Sequence, residues 1–150
     1  MSKFEKVVVS ILGEGEEVEI FKVLKDSSLS KPKEIHFVTL VRSIEYGYGL
    51  GEYNLIFPVT EDREKIREEK IQKMKSLVEK NLSKDLIGPI KYECLFDENP
   101  KHKLCDYVSD NQIDLIIMVA RKKRGLFESS FTQYVAKHTD ADVMILKHKS

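Results

Sequence analysis

Short apolar runs rich in β-branched residues alternate with helical stripes along the whole chain, and that alternation leaves few architectures open. DLIIMVA (Asp114–Ala120) and DVMILK (Asp142–Lys147) are apolar on both faces, the pattern of strands that helices cover from two sides. KVVVSIL (Lys6–Leu12) reads as a buried strand stopped by GEG. EIHFVTLV (Glu34–Val41) is a second strand, interrupted by His36 and Thr39, and IKYECLF (Ile90–Phe96) is a third. Between these runs the period changes. EEVEIFKVLKDSS (Glu16–Ser28) sets Val18, Phe21, Leu24 and Lys25 at helical spacing. Thr60 can cap a long helix whose stripe is Ile66, Ile71, Met74, Leu77, Val78 and Leu82. Asn99 followed by Pro100 opens a helix with Leu104, Tyr107 and Val108 inward, and a last helix carries Phe131, Tyr134, Val135 and His138. Five strands alternating with helices, joined by right-handed crossovers, predict an open, doubly wound α/β sheet of Rossmann-like kind with helices on both faces. Sheets of this kind hold ligands beyond the carboxyl ends of their strands, where strand order reverses. The loops after the first, second and fourth strands share that edge.

A chain of 150 residues is long enough for one full core, and no internal repeat divides it, so one domain over residues 1–150 is expected. Its 25 acidic and 25 basic side chains cancel, which argues against a general nucleic-acid or membrane binder, although a local basic patch survives that argument. Cys94 and Cys105 have no zinc-like spacing and read as buried, reduced thiols. MSKFEKVVV enters a strand directly without a signal-peptide pattern, and no apolar run reaches the length of a membrane span, so a cytoplasmic location is expected.

ARKKRGLFESS carries the strongest chemical signal. Four consecutive cations, Arg121 to Arg124, follow the fourth strand and lead to a helix opened by Ser130-Phe131-Thr132-Gln133, a capping-box spacing. Free N–H groups at a helix start, with cations nearby, favour an anion. A solvated turn with Ser129 or Ser130 as a simple N-cap is the plainer alternative, and the absence of G-x-S-x-G gives a nucleophilic serine no support. GEG (Gly13–Gly15) lacks the third glycine of a dinucleotide fingerprint, and Glu14, Glu16 and Glu17 would repel a pyrophosphate. GYGLG (Gly47–Gly51) is not followed directly by a helix; it reads as an excursion whose Tyr46, Tyr48 and Tyr53 could stack on a base or a partner. His36, His102, His138 and His148 are scattered without metal-ligand spacing, so no metal site is expected. No acid–base pair stands out among so many carboxylates.

DLIIMVARKKRGLFESSFTQYVAKHTDADVMILK resembles the C-terminal half of the universal stress protein family. There a D-L-I-V-M-G strand leads through a glycine-containing loop to a helix, an H-A-P-C-P-V-type turn and a last strand. His138-Thr139-Asp140-Ala141-Asp142-Val143 looks like that turn, and KVVVSILGEGE is similar to the family's opening in position more than in letters. The resemblance implies a five-stranded parallel sheet of the adenine nucleotide alpha hydrolase-like sandwich, a homodimer through the last strand, and a cytoplasmic stress-response role without a defined reaction. Its ATP-binding branch carries G-x2-G-x9-G-[S/T] after the fourth strand and an aspartate after the first. In this chain Leu12 followed by Gly13 stands at the aspartate position, Val119 and Lys122 at the first two glycines, and Ser129-Ser130 at the final Gly-Ser. Gly125 looks like a frequent additional glycine of the loop, and Ser130 matches the serine that meets a phosphate. Glycine lets a backbone approach a phosphate and adopt positive φ, which a β-branched Val119 or a long Lys122 does not.

The expectation is therefore a modified nucleotide or anion site. Its candidates are Leu12, Gly13, Thr39, Val119, Arg121, Lys122, Gly125, Ser129 and Ser130. No cofactor is expected to be held in the usual way, with ATP or AMP as the ligands that the resemblance leaves open. The first functional reading is a non-catalytic, dimeric stress-response module that regulates or binds unidentified protein partners. The others are an ATP- or AMP-operated switch, a slow ATP hydrolase or nucleotidyl transferase, and an RNA-binding surface centred on RKKR.

Overall fold

The computed structural model describes residues 5–11, 17–25, 32–42, 60–82, 89–123, 126–127 and 130–148; of residues 17, 60–62, 121–123, 126–127, 130 and 148 it describes the backbone alone. Its elements run β1 (Lys6–Ser10), α1 (Glu17–Lys25), β2 (Glu34–Arg42), α2 (Thr60–Asn81), β3 (Ile90–Asp97), α3 (Pro100–Asp110), β4 (Leu115–Lys123), β5 (Leu126–Phe127), α4 (Ser130–His138) and β6 (Asp142–His148). Five strands form a parallel sheet in the order β3-β2-β1-β4-β6, and β5 pairs antiparallel with the end of β4. Strand order reverses at β1, which lies between β2 and β4. The predicted doubly wound α/β sheet is the observed one.

Each face of the sheet has its own core, as alternation along buried strands requires. Val7, Val9, Ile35, Phe37, Leu115 and Ile117 pack with α1 and α2 through Ile20, Phe21, Leu24, Met74 and Val78. Val8, Val38, Ile116 and Met118 pack with α3 and α4 through Leu104, Val108 and Val135.

The helices refine the sequence reading in detail. Val18 is 52% exposed, because Ile20, Phe21 and Leu24 supply the inward face of α1 and Val18 falls off it. In α4, Thr132 is buried whereas His138 is exposed and stacks on Tyr134 at 4.2 Å between ring centroids. Cys94 is buried as expected, but Cys105 is half-buried, and both are free thiols. Asn99 sits at the N-cap of α3 without a side-chain capping bond; its own N–H donates to Asp97 Oδ1 at 2.9 Å.

At its other end α3 closes with a Schellman turn. Gln112 N–H donates to Ser109 O and Ile113 N–H to Val108 O, while Ile113 and Val108 are buried in the same cluster. Gln112 stands at φ 54, the left-handed position that such a turn requires.

Candidate anion site at the carboxyl edge

Parallel pairing sends the ends of β1, β2, β4 and β6 to one edge of the sheet. The candidate residues within the described structure lie there. Thr39 is buried near the end of β2 and is level with Cys94 of β3. Val119 lies in β4, paired with Leu146 of β6 and packed against the α1–α2 core. Arg121 pairs with His148, and Lys122 and Lys123 pair with Phe127 and Leu126. Ser130 is the first residue of α4. Leu12, Gly13, Gly125 and Ser129 lie outside the described residues, as do the GEG turn and Tyr46, Tyr48 and Tyr53.

The main difference from the sequence reading is local. β4 does not end at Ala120: it runs to Lys123 and turns the first three cations into strand. It thereby continues six residues past its last pairing with β1, at Ile117, a reach of about 20 Å at strand rise. Val119 and Lys122, which the resemblance sets against two motif glycines, are both strand positions with partners. An extended strand sends successive N–H groups to opposite sides, so this stretch does not gather them into the concave nest that holds a phosphate by main chain alone.

Sequence reasoning missed a second polar cluster, near the opposite edge. Glu34, His36, Lys91 and Tyr107 converge where β2, β3 and α3 meet. His36 is 1% exposed; its Nδ1 lies 2.6 Å from the Tyr107 hydroxyl, and its Nε2 lies 3.2 Å from Glu34 Oε2. Lys91 Nζ approaches Glu34 Oε1 at 2.9 Å, and Lys6 Nζ stands 4.0 Å from Oε2. Lys91 first, then His36, hold the Glu34 carboxyl down at about 2, well below its usual range. Burial first, then the Glu93 and Glu34 carboxylates, push the Tyr107 hydroxyl up to about 12. With a carboxylate on one side and a hydroxyl on the other, a neutral His36 carries its proton on Nε2 and accepts from Tyr107 at Nδ1. The signal available beforehand was a polar residue in an apolar strand, but nothing in the sequence paired it with a tyrosine 71 positions away.

Further along that edge a groove of about 390 Å³ opens between the ends of α3 and α4, lined among others by Cys105, Asp106, Gln112, His138 and Asp140. Among the described residues no group of three or more His, Cys, Asp or Glu could hold a metal ion, and no helix is long and apolar enough to cross a membrane.

Fold and edge together define a doubly wound α/β sandwich whose fourth strand carries Arg121, Lys122 and Lys123 to its carboxyl end. A family model described as the universal stress protein family matches residues 4–147. The chain belongs to that family. No curated protein matches it. Among solved structures it is similar to universal stress protein UspA from Lactobacillus plantarum, at 15% identity and TM-score 0.68, with 97% of this chain and 99% of that one covered. It is also similar to a universal stress protein family protein from Arabidopsis thaliana with AMP bound, at 14% identity and TM-score 0.58, covering 97% and 93%. A universal stress protein in complex with cAMP aligns at 15% identity and TM-score 0.58, covering 99% and 100%. At such identities the likeness is one of fold.

Proposed function

We propose that this protein is a non-catalytic stress-response module of the universal stress type, cytoplasmic, acting by interaction with other proteins and holding anions in an atypical way. The observation that carries this reading is the continuation of β4 through Val119 and Lys122 to Lys123, with strand partners at both positions that would be glycine in the ATP-binding branch. A backbone cradle is thereby replaced by strand and cations. The test is the nucleotide content of freshly purified protein by mass spectrometry after denaturation. The expected result is no stoichiometric ATP, together with little thermal shift in millimolar ATP and magnesium.

Likeness to structures solved with AMP and with cAMP favours one other reading, a nucleotide-operated switch on the same edge. Near-stoichiometric nucleotide in that experiment would select it. Phosphate release from ATP that depends on Ser130 would instead make the chain an enzyme.

The reading includes a homodimer through β6. This strand closes one side of the sheet, with Ile145 41% exposed and Val143, Met144 and Leu146 half-buried, so an apolar edge is left to protect. Sedimentation at micromolar concentration should show a dimer; a monomer throughout would remove this part of the proposal.

A further inference from the structure

We propose that the groove between the C-terminal ends of α3 and α4 binds an aliphatic diamine or polyamine, its ammonium groups held by Asp106 and Asp140 and its methylene chain lying against Val108, Ile113 and Ala141. The groove opens at the amino edge of the sheet, so this inference is independent of the anion site at the carboxyl edge. It encloses about 390 Å³, room for a small organic molecule. Val108 and Ile113, both buried, and Ala141, just before β6, belong to one apolar cluster and give the groove an apolar side. Asp106 comes from α3 and Asp140 from the turn after α4, so each of the two elements that form the groove supplies a carboxylate.

Charge decides the sign of the ligand. Lysine and arginine make up 25 of the 150 residues of the chain, yet neither occurs among the described residues that line the groove. The Cys105 thiol, pushed up by burial and then by the Asp106 carboxylate, stays neutral there. α3 has no basic residue in its last turn, so its own side chains leave the negative end of its dipole uncompensated; α4 carries Lys137 and His138 in its last turn. His138 lines the groove and stacks on Tyr134, and His102 Nδ1 stands 3.4 Å from Asp106 Oδ2 as a rival partner. One exposed carboxylate attracts a cation only weakly. Two of them beside an apolar surface favour a ligand with two charged ends and a hydrocarbon middle, because binding one end raises the effective concentration of the other. That chemistry separates a diamine from a monoamine and from a metal ion.

Titration of the isotopically labelled whole chain with 1,5-diaminopentane, followed by amide NMR shifts, should move residues 105–113 and 138–141 together. With 1-aminopentane the same amides should respond at least about fivefold more weakly. Magnesium should leave them in place. Asp106→Asn and Asp140→Asn, both at exposed positions, should each weaken the diamine at least about threefold, and the double variant should abolish the localised shifts. Either single variant decides the matter if the double one folds poorly. Shifts scattered over the acidic surface, an equal response to the monoamine or to magnesium, or a diamine affinity indifferent to both substitutions would overturn the proposal. A lysine-bearing peptide that moves these amides while the diamine leaves them still would overturn it as well, and would assign the groove to a partner protein.

Discussion

The two edges of the sheet are built on different principles. At the amino edge, residues far apart in sequence are tied by specific polar contacts. Asp114 Oδ2 accepts from the N–H groups of Glu5 and Lys6 at 3.1 and 2.9 Å, its own N–H donates to Lys6 O, and its carbonyl accepts from Asp142. One residue thus joins the starts of β1, β4 and β6, while Glu34, His36 and Tyr107 tie β2 to α3. At the carboxyl edge β4 and β6 run out into Arg121, Lys122, Lys123 and Lys147. The contrast ties folding stability to the first edge, and the function proposed above puts anion binding at the second. It breaks if substitutions at the two edges have similar effects on stability.

The largest difference should come from His36→Ala. Removing a fully buried ring leaves a cavity and strips the Tyr107 hydroxyl of its partner, which together should cost about 3 kcal/mol by urea unfolding. Tyr107→Phe leaves the imidazole Nδ1 without its donor and should cost about 1 kcal/mol. The triple substitution Arg121→Gln/Lys122→Thr/Lys123→Gln leaves the backbone pairing of β4 in place and should stay within about 0.5 kcal/mol of the unaltered chain. A loss there equal to that of His36→Ala would show that the basic strand is structural.

Asp114→Ala comes next. Two charge-assisted bonds to backbone N–H groups disappear, but at an exposed position where water replaces them in part, so about 1–2 kcal/mol is expected. Asp114→Asn keeps an acceptor oxygen and should recover part of the loss.

The difference between the edges also separates what the sequence disclosed from what it withheld. Strand and helix order was legible because Ile116, Ile117 and Met118 are buried on alternating faces, and such a run has few other uses. Asn99-Pro100 marked the start of α3 through backbone chemistry local to two residues, even though the asparagine side chain does not cap. Contacts between distant positions had no local signature. Glu34, His36, Lys91 and Tyr107 come from three elements, and their meeting is a property of register and helix docking. Arg121–Lys123 failed for another reason. Charge there suggested a loop, whereas the paired neighbours Phe127 and Leu126 and the register with β6 carried the strand onward. Propensity yielded to pairing.

Acid and alkali should sharpen the contrast through Glu34 and Tyr107 of the amino edge. Glu34 is held at about 2 in the fold against an ordinary 4.5, so its contribution is complete above 4.5 and is lost as pH falls towards 2. Tyr107 runs the other way. Its hydroxyl is raised from 10.0 to about 12, so the unfolded chain ionises first and stability declines as pH rises from 10 towards 12. Unfolding free energy measured across both windows should lose its acid limb in Glu34→Gln, whereas Tyr107→Phe should remove the upper part of the alkaline limb and leave the part due to Cys94, whose thiol burial pushes up to about 11. The same pH series in the triple-cation variant should match the unaltered chain.

Gln112 should give the smallest effect, and its sign tests whether the amino edge is free of strain. Its φ of 54 is needed to bring the N–H groups of residues 112 and 113 back onto Ser109 O and Val108 O. A side chain with a Cβ adopts that geometry at a cost of roughly 1–2 kcal/mol, whereas glycine adopts it freely but gives up roughly 0.5–1 kcal/mol more backbone entropy on folding. Gln112→Gly should therefore stabilise by about 0.5 kcal/mol. Gln112→Ala keeps the Cβ and should change little, which separates backbone geometry from any contact of the glutamine side chain. Stabilisation by alanine as well would mean that the side chain, not the left-handed turn, is the unfavourable element, and destabilisation by glycine would mean that the closed end of α3 depends on a contact that Gln112 makes.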